Sequence, residues 1–150
     1  MKQFQIVSVN ISERKGVRKT PVARIVLKED YGVVGDAHGG PGLRQVSLLA
    51  SEDMRASEKS GFVFAPGDFA ENITTRGVDL VALGIGTRLT IGTAVLEISQ
   101  IGKQCHTGCT IREQTGDCIM PRRGVFASVI KGGEINNESI GTYDFRPGLS

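Results

Sequence analysis

Each apolar run in this 150-residue chain is short and is soon interrupted by glycine. Twenty glycines are spread along the sequence, and tryptophan is absent. Short runs bounded by turn-forming residues are the pattern of strands joined by tight connections. The sequence therefore predicts a β-rich domain of the all-β or α+β class, built as a barrel or folded sheet. Its loops are expected to carry the chemistry.

Individual elements follow from periodicity. Met1 to Ile11 alternates and reads as a first strand, with Phe4, Ile6 and Ser8 on one face and Val7 and Val9 on the other. Val22 to Leu27 is nearly continuous, so it reads as a strand buried on both faces. Gln45 to Leu49 is a third strand. Arg88 to Ser99 is the clearest hairpin: Leu89, Ile91, Leu96 and Ile98 point inward, and Gly92-Thr93 suits a type II′ turn. Val125 to Ile130 is a last strong strand, ended by Gly132-Gly133. One helix is expected over Glu52 to Lys59, with Ser51 as cap, Glu52 and Asp53 in its first turn, and Gly61 just past its end. Tyr143 to Ser150 reads as loop. No boundary divides the chain, so residues 1–150 are read as one domain.

Composition narrows the function classes. A net charge of +2 is too small to argue for nucleic acid on bulk electrostatics. No apolar run approaches the roughly 20 residues of a membrane span. The first residues lack the continuous apolar stretch of a secretory signal. Three cysteines cannot all pair within one chain. A reducing cytoplasm is the expected compartment.

Three segments stand out as chemical. In Gly35 to Gln45, four glycines and a proline surround Asp36, His38 and Arg44. Glycine lets backbone amides approach an anion, and arginine can hold a phosphate or carboxylate through paired hydrogen bonds. The competing reading is a tight connection whose histidine caps a turn. In Pro66 to Thr75, Glu71 and Asn72 precede a β-branched run. An asparagine amide both donates and accepts, which suits a heterocycle's edge. The competing reading is a strand-entry turn.

The third segment is Gly102-Lys-Gln-Cys-His-Thr-Gly-Cys109, with Cys118 nine residues further on. A zinc site of Cys105, Cys109, Cys118 and a histidine is one reading, although the cysteines lack the paired C-x2-C spacing. A haem attachment needs the histidine after the second cysteine, and here His106 follows the first. A single reactive thiolate, with Lys103 and His106 lowering its pKa, is another reading. The last makes the cysteines small buried hydrophobes, which suits Cys118 best and Cys105, among polar neighbours, least.

The ordered motifs HGG…RQVSLL (His38 to Leu49), GDFAENITT (Gly67 to Thr75), LGIGTRLTIGTAVLEISQIGKQC (Leu83 to Cys105) and RRGVFASVIKGG (Arg122 to Gly133) resemble the MOSC domain, the molybdenum-cofactor sulfurase C-terminal domain. The resemblance runs from about Val7 to Ile140 and is that of a small stand-alone member. It implies a β-barrel with a few short helices. It also implies one cysteine that carries sulfur or ligates molybdenum, here Cys105. His38, Arg44, Glu71 and Asn72 fall at the family's polar positions, and Ser12, Lys15 and Lys19 resemble its early anion-contacting segment. Gln104 stands where the family usually has proline, and Cys109 and Cys118 lie outside the general pattern.

The resulting expectation is a protein that binds molybdenum cofactor (molybdopterin) or carries sulfur. A cysteine desulfurase is the expected type of sulfur donor, and a molybdoenzyme or a reductase the expected partner. Neither a nucleic acid nor a membrane is expected. The alternatives are a molybdenum-dependent reductase of N-hydroxylated compounds that needs a separate electron donor, and a zinc-stabilised adaptor. A soft metal explains the thiol, since oxygen ligands suit harder cations.

Overall fold

The computed structural model describes residues 2–58, 63–102 and 123–144. Cys105, His106, Cys109 and Cys118 lie outside these residues, as does Gly61. In chain order the strands begin with β1 (Lys2–Ile11), β2 (Thr20–Val22), β3 (Arg24–Lys28), β4 (Gly32–Val33) and β5 (Val46–Ala50). Helix α1 (Ser51–Ala56), β6 (Ile73–Arg76) and helix α2 (Leu80–Leu83) follow. The remaining strands are β7 (Arg88–Ile91), β8 (Ala94–Ile101), β9 (Val125–Lys131), β10 (Gly133–Asn136) and β11 (Ile140–Tyr143).

The main sheet runs β11-β7-β8-β9-β5-β6-β1-β2, and β11 also pairs with β1. That last pairing closes the sheet into a barrel, with β2 attached to the far end of β1. A small second sheet has the order β10-β3-β4. Strands β5 and β6 pair in parallel. A parallel join needs a crossover connection, and here it contains α1 and the 63–72 segment.

The barrel interior is apolar. Leu48, Ile73, Leu89, Ile91, Leu96, Ile98, Val125 and Ala127 are all fully buried. A second apolar layer lies apart from this core: Leu49, Met54, Phe64, Phe69, Ala70 and Phe126. Every residue of β5 is therefore buried.

The predicted hairpin is present as β7 and β8, with Ile91 opposite Ala94. Gly92 turns at φ 59° and Thr93 keeps negative φ, as a type II′ turn requires. Four expectations are corrected. Val22–Leu27 is not one strand buried on both faces: it divides into β2 and β3, and β3 alternates, with Val26 exposed and Ile25 and Leu27 buried. Val9 does not share an outer face with Val7. The β1–β6 register shifts between Ile6 and Ser8, and this bulge turns Val9 into the core. Helix α1 stops at Ala56, and Ser51 is its first residue rather than its cap. Glu52 and Asp53 make tertiary contacts: Glu52 accepts from the Gly77 amide and Asp53 from Arg123 Nε. Tyr143 is strand, not tail.

Barrel closure offers a test. Gly141 pairs with Phe4 on one side and Ile91 on the other, and a Cβ at this position would be driven into the Phe4 ring. Gly141→Ala should destabilise the fold by about 1–3 kcal/mol, the usual cost of overpacking. The shift of the urea midpoint measures this, and an unchanged midpoint would refute tight packing at that seam.

Candidate functional site

The end of β1, the loop after it and the loop after β4 meet around a buried ion pair. Lys19 Nζ lies 2.8 Å from Asp36 Oδ1, and both side chains have 0% exposure. The ammonium also approaches Ser12 Oγ at 3.1 Å and His38 Nδ1 at 2.9 Å. Asp36 in turn accepts from the Ser12 amide at 3.0 Å and the His38 amide at 3.1 Å. Burial pushes the Asp36 carboxyl up. Hydrogen bonding from Lys19 and the Ser12 amide, with the Lys19 charge, outweighs burial and holds it well below the usual carboxylate range. The Ala37 amide donates to the Ser12 carbonyl at 2.8 Å and ties the two loops together.

A second polar knot adjoins this one. The Glu71 carboxylate accepts from the Gly67 amide (3.0 Å), the Phe69 amide (3.2 Å) and Thr74 Oγ1 (2.6 Å). Burial pushes this carboxyl up, and those three hydrogen bonds act against the shift. Asn72 Oδ1 accepts from the Ser47 amide, and its Nδ2 donates to the Asn10 carbonyl. The amide thus bridges the start of β5 to the end of β1, much as a strand would. Asn10 Nδ2 completes the link by donating to the Glu71 carbonyl at 3.0 Å. Gly67 couples the two knots. Its carbonyl accepts from the Lys19 amide at 2.9 Å. Its φ is +90°, and a Cβ there would strike the Lys19 carbonyl oxygen, so only glycine fits.

Of the residues expected at the site, Ser12, Lys19 and His38 come together, and Glu71 and Asn72 lie in the adjoining knot with their side chains fully buried. Lys15 is exposed on the loop between Ser12 and Lys19. Arg44 is exposed, with its guanidinium carbon 5.8 Å from the Phe126 ring centre. Its neighbour Leu43 is held through its carbonyl by Ser99 Oγ of β8. Strand β8 ends at Ile101, and the Gly102 amide donates to the Gly124 carbonyl at 2.7 Å. Cys105 follows three residues later, outside the described residues.

Sequence reasoning left Asn10 and Ser47 out of the site and did not assign Asp36 a role. Asp36 had a signal, as an acid two residues before a histidine in a glycine-rich loop. Asn10 had one too: an amide at the end of an otherwise apolar alternation. Among the described residues no group of three or more His, Cys, Asp or Glu side chains could hold a metal ion. Among the same residues no helix is long and apolar enough to cross a membrane.

Two consequences are measurable. Asp36→Asn strands a buried ammonium, so it should cost about 3–5 kcal/mol at neutral pH. The sign of the pH dependence follows from the depressed carboxyl. Its stabilisation is complete above the ordinary aspartate range, near about pH 4, and is lost as pH falls through the lower folded value. The stability gap between wild type and Asp36→Asn should therefore narrow below about pH 4. Denaturant midpoints across pH test this, and a gap that widens in acid would contradict it.

Comparison with known proteins bears on the fold and the family. The family model described as the MOSC domain matches residues 34–139. No curated protein matches the chain. Among solved structures, the YuaD protein from Bacillus subtilis is 17% identical, with 97% of this chain and 98% of that chain covered and a TM-score of 0.80. YiiM from Geobacillus stearothermophilus is 23% identical over 98% of this chain and 77% of that one, with a TM-score of 0.73. YiiM from Escherichia coli is 20% identical over 97% and 71%, with a TM-score of 0.67. At such identities these three speak for the fold alone. The family match spans well over half of the sequence, and the chain belongs to the MOSC domain family.

Proposed function

We propose that this MOSC domain binds the molybdenum cofactor, or carries sulfur for a metal–sulfur centre, with Cys105 as the working sulfur. The observation that supports this most is the meeting of Ser12, Lys19 and His38 around one buried ion pair. Residues apart in sequence are thereby gathered at one place, with Lys19 in contact with each of the others.

The surrounding residues suit an anionic ligand. A side chain added at Gly40 or Gly42 would meet nothing within 4 Å, so the glycine-rich loop leaves room beside it. Arg44 is exposed and steadied by the Phe126 ring, and in this reading its guanidinium takes a phosphate. Lys15 and His38 add polar groups at the rim. Glu71 and Asn72 have their side-chain atoms engaged within the protein, so their part is to hold the floor on which the ligand would rest. The Cys105 thiolate would ligate molybdenum or hold a sulfane sulfur, delivered by a donor such as a cysteine desulfurase. The bound cofactor would supply redox chemistry that protein side chains lack.

Protein purified from a molybdenum-replete host should contain molybdenum with oxidisable pterin, or one extra sulfur on Cys105 by mass spectrometry. Cys105→Ala should lose it. Stoichiometric zinc without molybdenum, pterin or added sulfur would defeat the proposal. Arg44→Ala should weaken cofactor binding by about 1.5–3 kcal/mol, the scale of a charge-assisted hydrogen bond. Unchanged loading in the folded variant would remove Arg44 from the phosphate site.

A further inference from the structure

We infer that Lys19 is a positioning residue that fixes the tautomer of His38, so that the ring offers Nε2–H to an oxyanion on the open side of the glycine-rich loop. The inference gives a hydrogen-bonding role to one residue of the site proposed above, and to that extent rests on that reading.

The geometry is specific. An ammonium has three hydrogens and accepts nothing. Lys19 Nζ therefore donates in each of its short contacts, including the one of 2.9 Å to His38 Nδ1. Nδ1 must supply the lone pair, and the ring hydrogen then resides on Nε2. Asp36 cannot reverse this assignment. Its Oδ2 lies 3.7 Å from Nδ1, too far for a hydrogen bond, and accepts instead from the His38 amide at 3.1 Å. The same carboxylate thus holds the histidine backbone through one oxygen and the lysine through the other.

Exposure sets the direction. Lys19 and Asp36 side chains are sealed at 0%, while the His38 side chain is 29% exposed. The ring has its inner nitrogen against the buried ammonium and Nε2 on its far side. Both close contacts of the ring, to Lys19 and to Asp36, are made at Nδ1. A ring free to exchange tautomers would present a donor only part of the time. A ring held by a buried cation presents one continuously, which is what preorganised recognition of an oxygen acceptor requires.

Nitrogen-15 NMR of histidine-labelled, cofactor-free protein tests this directly. The signals lost in His38→Gln identify the residue. At about pH 8, where imidazoles are ordinarily neutral, wild-type Nδ1 should resonate as a bare nitrogen and Nε2 as a protonated one. Lys19→Met should move both signals toward the averaged values of a ring in exchange. If that variant fails to fold because Asp36 is left unpaired, the double variant Lys19→Met/Asp36→Asn removes both charges and takes its place. Added inorganic phosphate should shift the wild-type Nε2–H resonance and leave Nδ1 nearly unmoved.

An Nδ1–H tautomer or an averaged ring in wild type overturns the inference, as does a locked ring that persists without Lys19. Absence of any phosphate response overturns the assignment of an oxyanion to this donor. None of these readings involves Cys105 or molybdenum. A locked, phosphate-sensitive ring in a protein that acquires neither metal nor sulfur would leave this inference standing while the cofactor reading fell.

Discussion

The pairing of β1 with its neighbours is the constraint on which the rest of the molecule depends. This one strand meets β11 through Lys2 to Gln5, β6 through Gln5 to Val9, and β2 through Val9 to Ile11. The first two pairings close the barrel and remove the sheet edges that would otherwise be left open. The bulge between Ile6 and Ser8 keeps Phe4, Ile6 and Val9 in the core despite their uneven spacing. Past the bulge the strand delivers Ser8, Asn10 and Ser12 to the polar side. Closure of the fold and placement of the site are thus two results of one strand.

The buried pair of Lys19 and Asp36 is better understood as a device for position than as a source of stability. Sealing two charges away from water costs several kcal/mol, and the attraction between them often does no more than offset that. What distinguishes this pair is that hydrogen bonds engage both partners. The carboxylate accepts from two backbone amides, and the ammonium reaches a hydroxyl and an imidazole. Such a network has one favourable arrangement, so it fixes where the loops sit relative to one another. The Glu71 and Asn72 knot does similar work from the other side, through neutral amides and a hydroxyl.

How legible this was depended on whether a feature is local. The β7–β8 hairpin could be read because Gly92 and the alternation of Leu89, Ile91, Leu96 and Ile98 carry the information within a dozen residues. The fully buried β5 could be read as a strand, but nothing local reveals that a second apolar layer of Met54, Phe64 and Phe69 covers it. Val26 read as buried because its neighbours are apolar; it is exposed because the small sheet leaves one face open. At the site, residue type was informative and burial was not. Lysine is rarely sealed completely, and the distant Asp36 supplies the opposite charge that helps to make it possible for Lys19. Glu71 and Asn72 read as ligand-facing for the same reason: the partners that occupy their side chains, Ser47, Asn10 and the Gly67 turn, are brought in by the fold.

The seam that closes the barrel also sets an order of events during synthesis. Lys2 to Gln5 find their partners in Ile140 to Tyr143, at nearly the greatest separation this chain allows. Contacts so distant in sequence are slow to form, because the long loop between them must be closed before any pairing rewards it. On a ribosome β1 must wait, one edge unpaired, until residues 140–143 have emerged. A nascent chain halted before residue 140 would therefore lack a sealed barrel, and would be a natural client for a chaperone that shields exposed strand edges.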